Sequence, residues 1–309
     1  MAVLHRRAEL LSQIRRFFAD RQVLEVETPA LSQAASSEVH LQTMQVSATG
    51  MPTGYLHTSP ELAMKRLLAA GSGDIYQLCK VFRAGEQGTR HNPEFTLLEW
   101  YRLGFDMPAM MQEVAVLLSE LLATQLHAEP LFLSYRQALV DYAQVDPLAT
   151  TPAQWQAAFL QHTGEGVAGA SGSDWLDLLL SLVVQPKLPA SRLVFITHFP
   201  AAQASLARLD AEDPRVARRF EVFVNGLELA NGFEELTDVA EQRRRIEAEQ
   251  HTRQCNGLAC LPADARFLAA LEHGLPACSG VALGVDRVVM LMLGLAQIRE
   301  ALSFDFTRA

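Results

Sequence analysis

The segment from residue 220 to residue 230 constrains the fold more than any other part of the chain. Asn225-Gly226 separates two runs of aromatic, branched and leucine residues, and this dipeptide between such runs is the strongest short-range signal for a two-residue hairpin turn. The turn sets the register of the strands, so we expect the cross-strand pairs Val224–Leu227, Phe223–Glu228, Val222–Leu229 and Glu221–Ala230. The chain must therefore contain antiparallel sheet.

The same hairpin places two carboxylates close together. Alternation along the strands puts Glu221, Phe223, Glu228 and Ala230 on one face, with Glu221 and Glu228 as diagonal neighbours about 7–8 Å apart. Such a pair could lie on a solvated outer face, or it could share a cation. Oxygen ligands from few protein groups suit Mg²⁺ that also binds substrate phosphates, and the acids that follow at residues 234, 235 and 238 favour the cation.

Patterns elsewhere predict strands at both ends of the chain and helices between them. Alternating or apolar runs predict strands near residues 23–27, 75–83, 93–102, 193–197, 219–224, 227–230 and 281–284. Helical spacing predicts helices over residues 8–20, 60–70, 106–122, 135–143, 152–162 and 174–184, and from residue 285 onward. This order indicates an α+β fold with an antiparallel sheet and a helical insertion at about residues 134–190.

A glycine-containing loop between two predicted strands carries basic side chains. Arg83, Arg90 and His91 lie in or beside it, and such a loop can bend around an anion. Alternation after Pro93 puts Phe95, Leu97, Glu99 and Tyr101 on one face. Near the C-terminus, Gly284-Val285-Asp286-Arg287 leads from a strand into a helix start, which is a second anion site. Arginines, an aromatic ring and acids together indicate ATP, although neither a P-loop nor a Gly-x-Gly-x-x-Gly motif is present.

Composition excludes several classes of protein. The chain has 309 residues, 49% of them hydrophobic, with a formal net charge of −9, so it can build a core and is not disordered. Its apolar runs are shorter than the roughly 20 residues of a membrane span, and its N-terminus lacks the features of a secretory signal. We expect a cytoplasmic protein without membrane contact.

With these motifs in this order, the chain resembles the catalytic domain of class II aminoacyl-tRNA synthetases, and most closely the lysyl enzymes. Residues 8–29 resemble motif 1, which forms a homodimer interface. Phe82-Arg83 with His91-Asn92-Pro93-Glu94-Phe95-Thr96 resembles motif 2, and Gly284-Val285-Asp286-Arg287 resembles motif 3. The resemblance covers nearly the whole chain and implies one catalytic domain, residues 1–309, with a six-stranded antiparallel sheet flanked by helices.

The resemblance also assigns roles to individual residues. Arg83 would hold the α-phosphate of ATP and Arg287 its γ-phosphate, and both are the expected catalytic residues. The full ATP set is Arg83, Glu86, His91, Asn92, Phe95, Glu221, Glu228 and Arg287, with Glu221 and Glu228 as the Mg²⁺ ligands. The lysine pocket comprises Ser59, Glu61, Glu99, Tyr101, Asn231, Glu235, Ala282 and Gly284. Glu61 also fits a plain helix-start acid, and Tyr101 also fits a core position.

Three departures point to one branch of this family. Motif 1 begins near residue 8, which leaves no room for an anticodon-binding domain. The motif 2 acid is displaced to Glu86, and Ala282 replaces a usual glycine in the amino-acid pocket. The chain looks like the truncated paralogues that attach β-lysine to a lysine of translation elongation factor P, which makes tRNA an unlikely partner. Alternatives are a ligase that charges tRNA or a small-molecule amine, or a regulatory subunit without activity.

Overall fold

The computed structural model describes residues 2–39 and 41–309. In this part of the chain the α-helices are α1 (Ala2–Ala19), α2 (Glu61–Ala69), α3 (Met107–Leu121), α4 (Tyr135–Ala143), α5 (Pro152–Thr163), α6 (Asp174–Leu178), α7 (Val239–Cys255), α8 (Ala265–Gly274), α9 (Val285–Leu293) and α10 (Ile298–Ala301). A π-helical stretch, Leu179–Val184, continues α6. None of these helices is long and apolar enough to cross a lipid bilayer.

The strands are β1 (Leu24–Glu25), β2 (Leu31–Ser32), β3 (Gln45–Val46), β4 (Gly54–Leu56), β5 (Ile75–Phe82), β6 (Glu94–Leu103), β7 (Leu131–Ser134), β8 (Val194–Pro200), β9 (Val216–Val224), β10 (Leu227–Glu234) and β11 (Cys278–Gly284). The predicted α+β class is confirmed, because long antiparallel strands and helices both contribute to the cores. The chain divides into two compact units: residues 1–106 with 236–309, and residues 107–235. Each unit is described separately below.

In the first unit the strand order is β1-β5-β6-β11. β1 runs parallel to β5, whereas the pairs β5–β6 and β6–β11 are antiparallel. β2, β4 and β3 form a small separate antiparallel sheet. The register of the long strands places successive side chains on two opposite faces, and different helices cover these two faces.

The two faces of this sheet have different cores. On one face, Phe18 of α1 stacks on Tyr76, with ring centroids 4.4 Å apart, and meets the edge of Trp100 at 5.4 Å. On the other, Ile75 and Tyr101 pack with Met64 and Leu68 of α2 and with α8. We call this second face of β5, β6 and β11, which carries Ile75, Tyr101 and the residues that alternate with them, the α2 face.

In the second unit the strand order is β10-β9-β8-β7, with β7 parallel to β8 and the other pairs antiparallel. Helices α4, α5 and α6 follow β7, and their apolar residues form a core with strands β8 and β9 that includes Tyr135, Trp175 and Phe223. The helical character predicted for residues 134–190 is confirmed.

The predicted hairpin is present, but its predicted register is half wrong. Asn225 and Gly226 have φ of +52° and +67°, as the expected turn requires. Val224 pairs with Leu227 and Phe223 with Glu228, and then a β-bulge shifts the register. Val222 faces Ala230 instead of Leu229, and Glu221 faces Asn231 instead of Ala230. The cause is the extra residue that a bulge inserts into one strand.

Candidate active site

Arg83 and Phe95 lie together at one end of the α2 face. Arg83 follows directly after β5, and Phe95 lies opposite Val81 in the neighbouring strand β6. The Arg83 guanidinium carbon lies 5.0 Å from the centre of the Phe95 ring. Its Nε donates to the Thr58 carbonyl at 3.3 Å, and Nη1 lies 3.5 Å from the Glu86 carboxylate. These contacts hold a partly exposed guanidinium in a fixed plane, which suits bidentate binding of a phosphate.

The loop after Arg83 contacts a residue almost two hundred positions away in the sequence. Nη2 of Arg287, near the start of α9, lies 2.8 Å from Nε2 of the His91 imidazole. Asn92 is buried, and its amide donates to the Glu94 carbonyl at 2.6 Å and accepts from the Phe306 backbone N–H at 3.0 Å. The structure therefore brings the expected motif 2 and motif 3 residues together.

Asp286 anchors the helix start that carries Arg287. Its carboxylate, 2% exposed, pairs with Nη1 of Arg7 at 2.5 Å and accepts the Thr96 backbone N–H at 2.7 Å. Arg7 also donates to the Thr96 hydroxyl at 2.7 Å. Arg7 lies on α1 and was not among the predicted site residues. Its functional position could not be read from α1, because Arg6 beside it has the same chemistry and faces Glu9 at the surface.

Glu99 and Tyr101 lie further along the α2 face. The Tyr101 hydroxyl donates to Oε1 of Glu99 at 2.7 Å, and both residues are 2% exposed. On the neighbouring strand β11, Ala282 lies directly opposite Glu99, and Gly284 lies opposite Leu97. A buried carboxylate held by a phenol is a suitable partner for an ammonium group. Four of the predicted pocket residues, Glu99, Tyr101, Ala282 and Gly284, thus share one face of the sheet.

Ser59 and Glu61 mark the beginning of α2. The Glu61 backbone N–H donates to the Ser59 hydroxyl at 3.3 Å. The Glu61 carboxylate pairs at 2.6 Å with the Lys65 ammonium, which is one helical turn further on and 1% exposed. Glu61 thus neutralises a buried lysine of the protein itself, a contact that the sequence pattern did not indicate.

In the second unit, the bulge gathers four predicted residues on one face. Glu221 faces Asn231 across the hairpin, and Glu228 faces Phe223. Alternation from Asn231 puts Glu235 on the same side of the strand. Burial and the neighbouring Glu228 carboxylate raise the pKa of Glu221. The bulge is what puts Asn231, rather than Ala230, beside the carboxylates.

Arg219 is a residue of this cluster that the sequence interpretation missed. Its guanidinium pairs with Glu221 at 2.7 Å, donates to Asn231 Oδ1 at 3.2 Å, and donates to the Gln203 carbonyl at 2.7 Å. It also lies over the Phe199 ring at 4.5 Å. Arg219 precedes Glu221 by two residues and so shares its face. That spacing was the available signal.

The carboxylates of Glu221 and Glu228 suit a Mg²⁺ ion that also binds substrate phosphates better than they suit a metal ion bound by protein ligands alone. In residues 2–39 and 41–309, no group of three or more His, Cys, Asp or Glu side chains could hold a metal ion. Two carboxylates without further protein ligands match the way proteins bind Mg²⁺ together with substrate phosphates. Burial raises the pKa of Glu221 most, repulsion from Glu228 adds to it, and such a cation would relieve that repulsion.

The most basic segment of the sequence carries little net charge. Arg243 pairs with Glu272 at 2.8 Å, and Arg244 and Arg245 both pair with Glu241 at 2.8 Å. Each arginine of this triple on α7 therefore faces a carboxylate. Three arginines that share the two carboxylates of Glu241 and Glu272 present little excess positive charge, which makes a poor footprint for a nucleic-acid backbone.

The chain is similar to known proteins over nearly its whole length. The family model of the class II tRNA synthetases (D, K and N) matches residues 1–308. A protein of Edwardsiella ictaluri called elongation factor P–(R)-β-lysine ligase is 50% identical over 316 residues, which cover 100% of this chain and 96% of that protein. Proteins of the same name from Pectobacterium atrosepticum and Proteus mirabilis are 48% and 49% identical, with the same coverage. The chain belongs to the class II tRNA synthetase family of the D, K and N type.

Proposed function

We propose that this protein is an ATP-dependent, AMP-forming ligase that activates β-lysine and transfers it to a lysine of translation elongation factor P. Its full-length similarity to ligases of that name supports the acceptor and the amino acid. Family membership supports activation with ATP. The six antiparallel strands, three in each unit, are the proposed class II sheet of one catalytic domain, with residues 134–190 as its insertion.

One observation carries the proposal: the α2 face presents side chains suited to a phosphate at one end and side chains suited to an ammonium group further along. Arg83 and Phe95 lie at one end of the α2 face, and Glu99 and Tyr101 lie four and six residue pairs further along the same two strands. A substrate with a phosphate at one end and an ammonium at the other matches this order. An activated lysine, the aminoacyl-adenylate, has both groups.

The site residues divide between two tasks. Around ATP we propose Arg83, Glu86, His91, Asn92, Phe95 and Arg287, with Glu221 and Glu228 as ligands of Mg²⁺. Around the amino acid we propose Ser59, Glu61, Glu99, Tyr101, Asn231, Glu235, Ala282 and Gly284. Bound Mg²⁺ would supply positive charge to the phosphates. Arg219 would keep the Glu221 carboxylate oriented through its 2.7 Å ion pair.

The reaction has two steps in which the protein positions and neutralises charge. The β-lysine carboxylate attacks the α-phosphorus of ATP, a carboxyl–phosphate anhydride forms and pyrophosphate leaves. Arg83 and Arg287 stabilise negative charge that develops on the phosphates. The uncharged ε-amine of the acceptor lysine then attacks the anhydride carbonyl, an amide forms, AMP leaves and a proton is released. Holding both reactants in place supplies much of the rate.

Two further proposals concern assembly and acceptor. We propose a homodimer that forms through the motif 1 region, which includes α1. We also propose that tRNA is not the acceptor, and the pairing of the three α7 arginines with carboxylates supports this. Elongation factor P acts in translation, so the proposed reaction takes place in the cytoplasm.

Pyrophosphate exchange into ATP tests the activation step and its residues. Wild-type protein with Mg²⁺ and β-lysine should show exchange, and Glu221→Gln or Glu228→Gln should lower it by about 10²–10³, the usual cost of removing one electrostatic contact. Glu212→Gln, which alters an exposed acid, is the matched control and should behave as wild type. Absence of exchange with both β-lysine and α-lysine would overturn the proposed function.

A further inference from the structure

Gln77 is a buried polar residue in the middle of the α2 face. It lies on β5 directly opposite Glu99, and Glu99 in turn lies directly opposite Ala282. Residues that face each other across antiparallel strands share a face, so the three side chains form one row across three strands. Gln77 is 2% exposed. None of the site motifs includes it.

The two ends of the Gln77 carboxamide have different surroundings. The Cys79 thiol follows two residues further along the same face, and the Gln77 side chain lowers the pKa of that thiol against the larger, raising effect of burial. Its carbonyl oxygen Oε1 is buried and accepts no hydrogen bond in residues 2–39 and 41–309. Buried acceptors without a donor are rare in folded proteins, and each one requires an explanation.

We infer that Oε1 of Gln77 accepts a hydrogen bond from an ammonium group of the bound diamino acid. This inference rests on the proposed function and adds a substrate-contacting residue to its amino-acid pocket. An alkyl ammonium carries three donors and no acceptor, so one carboxylate cannot satisfy it alone. Glu99 provides the charge in the row, and Gln77 beside it provides a neutral acceptor whose donor arrives with the substrate.

Replacement of Gln77 by methionine separates this role from a structural one. Gln77→Met keeps the length of the side chain and removes the acceptor. In pyrophosphate exchange, the KM for β-lysine should rise about 10- to 100-fold, the range that a hydrogen bond to a charged group supplies. The KM for ATP should not change. The urea midpoint without substrate should stay the same or rise, because an unsatisfied acceptor has been replaced by an apolar group of similar shape.

Gln242→Met is the matched control. Gln242 on α7 is also 2% exposed, and its Oε1 also accepts no hydrogen bond in the described residues. It does not lie on the sheet, so its replacement should leave the KM for β-lysine unchanged. The inference would be overturned if Gln77→Met left the KM for β-lysine unchanged. It would also be overturned if the variant lost stability and its KM values for β-lysine and ATP rose equally. Neither result would affect the proposed function. Wild-type protein that activates neither lysine isomer would overturn the proposed function together with the inference.

Discussion

The anchoring of Arg287 depends on one buried ion pair, which gives a sharp prediction for Asp286→Asn. The Asp286 carboxylate is 2% exposed and faces the Arg7 guanidinium, which is 14% exposed, at 2.5 Å. The substitution keeps the shape and a carbonyl oxygen for the Thr96 N–H. It removes only the negative charge that lies opposite the Arg7 guanidinium.

The expected cost follows from the burial of both partners. Removal of one member of a buried pair costs about 3–5 kcal/mol, because the other charge stays buried without compensation. Arg7 retains its 2.7 Å bond to the Thr96 hydroxyl and some contact with water. The lower end of that range, about 3 kcal/mol of unfolding free energy, is therefore the expected loss.

Urea unfolding followed by circular dichroism measures this loss. Glu9→Gln is the control, because it removes a comparable carboxylate whose pair with Arg6 is about half exposed, at 53% and 55%. An exposed pair contributes about 0–1 kcal/mol. The KM for ATP should also rise in Asp286→Asn, since Arg287 follows directly. A free energy of unfolding for Asp286→Asn equal to that of Glu9→Gln would refute the reasoning.

Two other substitutions test the packing and the ionisation of buried groups. Gly226→Ala should lower the free energy of unfolding in urea by at least about 1 kcal/mol more than Gly164→Ala does. Both glycines have positive φ, so the backbone strain is shared. A Cβ at Gly226 would lie 2.7 Å from the Gln185 carbonyl oxygen, whereas a Cβ at Gly164 would meet open space. Equal costs would show that the contact is unimportant. Burial raises the pKa of Glu249, so its folded carboxyl keeps a proton that the unfolded chain releases above about pH 4. Its contribution to stability therefore falls as pH rises through the folded pKa. Glu249→Gln should raise the urea midpoint at pH 8 and leave it unchanged at pH 4, and a difference that does not vary with pH would contradict this.

Much of the fold was predictable because strong local signals coincide with the elements. Ser59-Pro60-Glu61 and Gly71 bracket the helix observed at Glu61–Ala69, and Asn225-Gly226 forms the turn that the sequence indicates. Elements without such signals received no predicted bounds. The helix Val239–Cys255 is polar all round and has no apolar stripe, and β2, β3 and β4 have only two or three residues each.

The arrangement of the site could be predicted only in part, because some of its contacts depend on backbone irregularity and distant packing. The apolar run through Leu227 and Leu229 gives no sign of the bulge that brings Asn231 opposite Glu221. The pair of Arg7 with Asp286 joins residues 279 positions apart. Gln77 has no motif around it, and its place beside Glu99 follows from strand register alone. The types and spacing of residues indicate which ligands a site can bind, whereas the register of the paired strands decides which side chains lie next to each other.

Intact-mass analysis of elongation factor P tests the central claim most directly. The factor is incubated with this protein, ATP, Mg²⁺ and either β-lysine or α-lysine, and bulk tRNA is offered in a parallel reaction. The account predicts that the factor gains the mass of one lysyl residue, more completely with β-lysine, that AMP is released, and that tRNA is not charged. Charging of tRNA with no gain of mass on the factor would contradict it.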